Sequence, residues 1–205
     1  MYNVYVFCFR RTNFDIMNRN FVFLNSFVNL SEETFDKLQR LGKFKRIKAN
    51  TTVARTGEIP TKYYFLVSGL MRAYYDSECG KVFTKNIFSP ISFVASFTAL
   101  INKNPSKLTY ETLTDCKLYE FDYSEIINLC NTDISVSMLY SRILEQIFIG
   151  YEKRSLELLS LNATQRYLKL RERIPNIDDL IPQFQIASYL SITPVQLSRI
   201  RKNIK

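Results

Sequence analysis

The spacing of apolar residues changes along the chain and separates a β-rich stretch from helical ones. Between residues 44 and 121 apolar residues come in short runs such as TTVA, YYFLVSG, LMRAYY, KVFTKNIF and KLYEFD. Runs of this length predict β-strands, with Gly57, Gly69 and Gly80 at the turns between them. YYFLV is apolar at consecutive positions and predicts a strand buried on both faces. This stretch therefore predicts an antiparallel barrel or roll, with a hairpin tip at DSECGK.

Helical spacing precedes and follows the β-rich stretch. Ser31 can cap a short amphipathic helix, because Glu32 and Glu33 then occupy its first turn. After Asp133 apolar residues recur every three or four positions and predict one long helix, in which Gly150 costs about 1 kcal/mol relative to alanine. The apolar stripe of this helix consists of Val136, Leu139, Ile143, Ile147 and Tyr151.

The pattern leaves two interpretations of this stripe open. The long helix either lies on its own sheet or uses the stripe as a coiled-coil seam between two subunits. A further helix, ATQRYLKLRERI, follows a break near Asn162 and ends at Pro175.

The C-terminal stretch QFQIASYLSITPVQLSRIRKNIK has the pattern of two short helices joined by a tight turn. Pro182 suits the first position of one helix, and Ser191 and Ile192 make the turn. Thr193 is a good N-cap for the second helix, and Gln196 completes a capping box. The outer surface of this second helix has the polar and basic character that enters a major groove. The predicted DNA-contacting residues are Thr193, Val195, Gln196, Ser198, Arg199, Arg201, Lys202 and Lys205.

The local charge agrees with a nucleic-acid partner, since residues 162–205 contain eight Lys and Arg residues and three acidic ones. The same residues also allow a packed helical hairpin whose charges are merely solvated. The short motif alone does not decide between these alternatives.

The composition narrows the function classes. The 205 residues, 46% apolar and 23% charged, are typical of a soluble globular protein of one or two domains. An excess of 28 Lys and Arg residues over 19 Asp and Glu residues favours a polyanionic partner. The chain has no histidine, which removes the commonest general base and the commonest metal ligand. We therefore expect no enzyme and no metal site.

The chain has no sequence signature of membrane insertion or secretion. Apolar runs stay well below the roughly 18 residues that cross a bilayer, and Arg10 and Arg11 follow the run YNVYVFCF rather than precede it. The four cysteines are dispersed and lack metal or redox spacing; reduced thiols in the cytoplasm are expected, whereas disulfides would require a secreted protein. Met17 is an alternative start to Met1.

The stretch TTVARTGEIPTKYYFLVSGLMRAYYDSECGKVF resembles the start of the β-roll in the Crp/Fnr family of bacterial transcription regulators. Gly57 and Glu58, the strand that ends at Gly69, and the hairpin at Gly80 come in the family's order. The resemblance continues through the long helix and the terminal helix-turn-helix, and covers nearly everything after Ser31. It implies an α+β fold with an antiparallel, cyclic-nucleotide-binding-like β-roll at 17–132, a dimerisation helix at 133–161 and a helix-turn-helix domain at 162–205.

The resemblance also implies a function: a cytoplasmic, homodimeric transcription regulator that reads a palindromic site in double-stranded DNA. The stripe from Val136 to Tyr151 becomes the dimer seam, and the helix that starts at Thr193 reads DNA. RNA polymerase and a small-molecule effector are further partners. The family usually has glycine at Ser191 and a β-hairpin wing after the recognition helix; the chain stops at Lys205, so fewer phosphate contacts are expected.

The effector cassette departs from the family pattern. Cyclic-nucleotide binders of the family hold the ribose and the cyclic phosphate with a Gly-Glu pair and a downstream Arg, but SFVASFTALINKNPSKLTYETL places Ala95 and Ser96 at the pair and Ser106 near the Arg. Lys107 lies one position away, which turns it to the other face of a strand. A weak pocket of Ser96, Ser106 and Lys107 remains, and cyclic AMP is not the expected effector. The cysteine spacing of the chain argues against an iron-sulfur cluster, and its lack of histidine argues against haem.

Two other function classes remain as alternatives. A ligand-binding roll could act through a protein partner rather than DNA, and a steep salt dependence of DNA binding separates these two. An enzyme on a β-barrel is disfavoured, because no nucleophile-base pair is recognisable in the sequence.

Overall fold

The computed structural model describes residues 20–204, so Met17, Cys8 and Lys205 lie outside the described residues. Residues 20–25 are helical and form α1, and α2 follows at Glu32–Leu41. Ser31 caps α2 as predicted, because its Oγ accepts a hydrogen bond of 3.0 Å from the Thr34 N–H.

The β-rich stretch folds into two antiparallel sheets of four strands each. The strands are β1 Lys43–Ile47, β2 Thr52–Ala54, β3 Lys62–Ser68, β4 Met71–Asp76, β5 Val82–Phe88, β6 Ser92–Val94, β7 Thr109–Thr112 and β8 Cys116–Asp122. One sheet has the order β1-β8-β3-β6 and the other β2-β7-β4-β5. The run YYFLV lies in β3, between two neighbouring strands, as its apolar pattern predicted. DSECGK connects β4 to β5.

The two sheets enclose the core of the roll. Leu66 and Leu118 come from one sheet and Met71 from the other, and all three are fully buried. Each such side chain contributes about 1.5–3 kcal/mol of hydrophobic free energy. The outer face of β3 is covered as well, since Phe65 stacks on Phe23 of α1 with ring centroids 5.6 Å apart. This explains why β3 is apolar at consecutive positions.

Three helices accompany the roll. They are α3 Phe97–Asn102, α4 Tyr123–Thr132 and α5 Ile134–Ser160. Asp122 caps α4, and hydrogen bonds from Lys62 and Ser124 lower the pKa of its carboxyl to about 2. Asp133 caps α5 and also accepts a hydrogen bond of 3.0 Å from the Thr34 hydroxyl. α5 is the predicted long helix, whereas α3 and α4 were not predicted from the sequence.

Four helices complete the chain: α6 Ala163–Arg173, α7 Ile177–Leu180, α8 Gln183–Leu190 and α9 Pro194–Ile204. Their shared core includes Leu70, Ile87 and Leu113 of the roll, so this helical unit packs directly on the second sheet. The sequence of roll, long helix and helical unit confirms the predicted α+β fold class. Within residues 20–204, no helix is both long and apolar enough to span a bilayer.

Ser188 of α8 makes two hydrogen bonds to the edge strand of the roll, beside the shared apolar core. β5 is the last strand of its sheet, and the Ser188 Oγ on α8 accepts a hydrogen bond of 2.9 Å from the Thr84 N–H. The same hydroxyl donates to the Val82 carbonyl at 2.9 Å. Ser188 thereby satisfies two backbone groups of β5 that have no neighbouring strand.

Candidate functional site

α8 and α9 form the predicted helix-turn-helix. α8 ends at Leu190, and Ser191 then takes a left-handed backbone conformation with φ 56°. This conformation costs a residue other than glycine about 1–2 kcal/mol, a strain that the buried helices on both sides have to absorb. Pro182 precedes the first helical residue of α8 as its N-cap, one position earlier than predicted.

The capping box at the start of α9 is formed as predicted. The Gln196 N–H donates to the Thr193 Oγ1 at 3.2 Å, and the Thr193 N–H donates to the Gln196 Oε1 at 2.9 Å. The cap fixes the direction of α9 relative to the turn. It also engages the Gln196 side chain, which can contact a base only if it leaves the cap.

One face of α9 is anchored and the opposite face is open. Leu197 is fully buried in the core of the helical unit. The outer residues are spaced by three or four positions, so they share one face of the helix. This open face consists of the exposed residues Val195, Ser198, Arg199 and Lys202.

Arg201 does not belong to this open face. Its Nε lies 3.6 Å from the Asp178 Oδ1, and Asp178 also accepts a hydrogen bond of 2.7 Å from the Tyr167 hydroxyl. Burial and this hydrogen bond raise the pKa of Tyr167 to about 12. Arg201 therefore interacts within the helical unit, and its contact with DNA stays a prediction.

The apolar stripe of α5 packs against the chain's own roll at its N-terminal end, and its role as a dimer seam stays a prediction. Val136 and Leu139 are 1% and 4% exposed, in a cluster with Leu30, Leu38 and Ile126. Ile143 packs against the same cluster. Ile147 and Tyr151 continue the stripe and are half-buried. Val136 and Leu139 are therefore covered within one chain, whereas Ile147 and Tyr151 keep part of their surface exposed.

The opposite face of α5 carries a second set of apolar side chains, and these are exposed. At about 100° per residue, five of them fall within an arc of about 80°. Exposed apolar side chains in one line along a helix mark a surface that another molecule covers. These five residues, the outer stripe, are Ile134 at 75%, Met138 at 49%, Phe148 at 68%, Leu156 at 57% and Leu159 at 84% exposure.

The serines of the effector cassette lie together, but they are occupied by each other. Ser106 is 2% exposed, and its Oγ is 3.1 Å from the Ser96 Oγ. The Ser106 hydroxyl also donates a hydrogen bond of 2.7 Å to the Leu108 carbonyl. Lys107 is exposed, whereas both serines are buried. Among residues 20–204, the hydrogen bonds of the Ser106 hydroxyl go to Ser96 and Leu108 and not to a basic side chain.

Comparison with known proteins agrees with this architecture. Residues 44–133, from β1 to the cap of α5, match the cyclic nucleotide-binding domain family. The CRP-like protein Clp of Xanthomonas campestris is 22% identical over 173 residues, which cover 84% of this chain and 74% of Clp. The structure of Clp, a c-di-GMP responsive global regulator, covers 85% of this chain and 91% of its own at a TM-score of 0.66 and 16% identity. A crp/fnr family protein from Eubacterium rectale covers 85% and 83% at a TM-score of 0.67 and 14% identity.

The chain is similar to regulators of the Crp/Fnr type over more than 80% of its length. The predicted resemblance is thereby confirmed. Within residues 20–204, no group of three or more His, Cys, Asp or Glu side chains is placed to hold a metal ion.

Two arginines form a site that the sequence did not reveal. Tyr189 of α8 lies between them: the Arg154 guanidinium carbon is 3.9 Å from the centre of its ring, and the Arg173 Nη2 donates to its hydroxyl at 2.8 Å. The Arg154 Nη2 also donates to the Tyr189 carbonyl. The three residues come from α5, α6 and α8, so only the folded chain brings them together.

Proposed function

We propose that the protein is a homodimeric transcription regulator that binds a palindromic site in double-stranded DNA through α9. The observation that carries this proposal is the open face of α9 on an anchored and capped helix-turn-helix. Arg199 can donate two hydrogen bonds to the major-groove edge of guanine, and Lys202 can neutralise a phosphate. The predicted division into roll 17–132, long helix 133–161 and DNA-binding domain 162–205 fits this proposal. RNA polymerase remains a predicted partner.

The proposed dimer uses the outer stripe of α5 rather than the inner one. Two copies that pair along Met138, Phe148, Leu156 and Leu159 bury side chains that are otherwise exposed. A two-fold dimer of this kind presents two copies of α9, which matches two half-sites about one helical turn of DNA apart.

Substitutions on α9 test the reading of DNA. Arg199→Ala should weaken binding to a site selected from random duplexes by about 1–3 kcal/mol and relax the base preference at one position, because a bidentate contact to guanine is lost. Lys202→Ala should weaken binding to selected and random duplexes alike and reduce the salt dependence by about one phosphate contact. Fluorescence anisotropy with both duplexes over a series of salt concentrations measures both effects.

Arg142→Ala is the matched control, since it removes one positive charge from α5, away from the helix-turn-helix. It should leave the discrimination between the two duplexes unchanged. Equal losses of affinity on both duplexes for Arg199→Ala would reject its role as a base reader. Absence of salt-dependent binding to any duplex would reject the proposed function itself.

Cyclic AMP and cyclic GMP should bind no more tightly than about 100 μM by isothermal titration. Their cyclic phosphate carries a full negative charge, and burying it beside Ser96 and Ser106 without a cation is costly. Lys107→Ala should therefore change nothing, because this lysine faces solvent. A low-micromolar dissociation constant that is lost in Ser106→Ala would contradict this expectation and would place the phosphate at Ser106.

A further inference from the structure

A cavity of about 270 Å³ lies where the roll, α5 and the helical unit meet. For comparison, an apolar cavity of about 150 Å³ holds a benzene ring. Its walls come from α1, from the end of β5 and the loop that follows, and from the inner face of α5, and Arg173 of α6 closes one end. The cavity is thus large enough for a small organic molecule.

Most of the wall is apolar, and one position of α5 leaves space because its residue has no side chain. Phe23, Phe88 and Phe93 contribute rings, and Ile147 contributes an aliphatic side chain. Gly150 also lines the cavity, and a Cβ added at this glycine would meet no atom within 4 Å. A side chain at this position would extend into open space, although glycine is a poor residue for the middle of a helix.

The loop at the mouth of the cavity holds a strained residue. Ile91 lines the cavity and has φ 68°, a conformation that β-branched residues rarely adopt. Its N–H donates to the Leu66 carbonyl at 2.8 Å. Strain of this kind costs about 1–3 kcal/mol and occurs often in residues that clamp a ligand.

The other end of the cavity is positively charged. Arg154 and Arg173 both line it, and the Arg154 Nε is buried without a hydrogen-bond partner among the described residues. Glu157 is the carboxylate nearest to Arg154, at 3.8 Å, and it also lies 3.9 Å from Lys169. No carboxylate of residues 20–204 lies within 4.0 Å of the Arg173 side chain nitrogens. Burial lowers the pKa of Arg154, which agrees with a cation short of compensating charge.

We propose that this junction cavity binds an organic monoanion, with its carboxylate at Arg154 and Arg173 and an aromatic or alkyl body against the apolar wall. The planar guanidinium suits a carboxylate, and a buried arginine that lacks full compensation gains more from an anion than an exposed one does. The apolar wall suits a body without polar groups. A neutral molecule of the same shape makes the contacts with the apolar wall but no charge-assisted hydrogen bonds with the two arginines.

Such a ligand contacts the loop after β5, α5 and α6 at once. Its occupancy therefore stabilises one position of the helical unit on the roll. The binding site stands on the cavity alone, whereas an effect on DNA affinity rests on the proposed function.

Isothermal titration of the full chain with naphthoate and decanoate tests the proposal. Naphthamide serves as the neutral control for naphthoate. At least one of the two carboxylates should bind, and the amide should bind about tenfold more weakly than naphthoate, because it makes no charge-assisted hydrogen bond.

Three variants locate the site. Arg154→Gln should weaken carboxylate binding by about tenfold or more. Gly150→Leu should abolish it by filling the cavity, and leucine favours the helix, so this variant should fold even where loss of Arg154 disturbs the fold. Lys153→Gln removes one exposed charge from the same helix and should bind like the wild type.

Failure of both carboxylates to bind at millimolar concentration would overturn the proposal. Unchanged binding in Gly150→Leu would overturn it as well, as would equal affinities for the amide and the acid. DNA binding is measured separately by anisotropy without ligand. A chain that binds naphthoate but no duplex would refute the proposed function and leave the cavity site standing. A chain that binds DNA but no carboxylate would refute the cavity site and leave the proposed function standing.

Discussion

Replacing Phe148 and Leu159 together by glutamate should turn a dimeric protein into a monomer that loses DNA affinity by more than about 100-fold. The two side chains are 68% and 84% exposed and lie on the outer stripe of α5. Pairing two copies there would bury four added carboxylates, each at a cost of several kcal/mol. Glu145 and Glu152 are exposed on the same side of the helix and add to the repulsion. Sedimentation velocity at micromolar concentration measures the mass.

The inner stripe provides the matched control. Ile143→Ala and Ile147→Ala lower the stability of the roll by removing contacts within one chain, but they should leave the dimer intact. A wild-type protein that sediments as a monomer at micromolar concentration would contradict the proposed dimer. Monomers from the inner substitutions, with dimers from the outer ones, would show that the inner face is the seam after all.

The second large effect concerns the stability of the roll. Gly69→Ala should lower the free energy of unfolding by more than about 3 kcal/mol, because the backbone has φ 92° and the added Cβ would lie 2.5 Å from the Asp115 carbonyl oxygen. A backbone oxygen cannot move aside as the end of a side chain can. Urea unfolding measured by circular dichroism gives the change.

Gly80→Ala separates backbone strain from the clash. Gly80 has φ 74°, but a Cβ there would meet nothing within 4 Å. Its substitution should cost only about 1–2 kcal/mol, the price of the left-handed conformation. Equal losses at the two glycines would mean that the chain near Asp115 moves to make room.

Local signals in the sequence predicted local structure well. Ser31 and Thr193 were identified as caps from the residue type and its spacing to the following residues, and both accept the expected hydrogen bonds. A cap needs only residues within one turn of the helix, so the sequence contains all of its determinants.

The sequence pattern could not predict which molecule covers an apolar helix face. The stripe from Val136 to Tyr151 predicted a buried face, but periodicity is the same whether the neighbour is the chain's own sheet or a second subunit. The outer stripe escaped notice because Ser141, Glu145 and Glu152 interrupt it. The junction cavity escaped for a related reason, since Arg154 and Arg173 are far apart in sequence from the aromatic wall.

The hydroxyl of Ser188 protects an edge strand from pairing with other chains. An edge strand with unpaired N–H and C=O groups is a template onto which another chain can add a strand, and aggregation begins in this way. In the docked position α8 covers the edge of β5 at Thr84 and Val82. A movement that lifts the helical unit away from the roll exposes that edge together with Phe83, which is already 52% exposed. Movement of the helical unit and protection of this edge are therefore opposed in this chain, and Ser188 contributes two hydrogen bonds to the protected position.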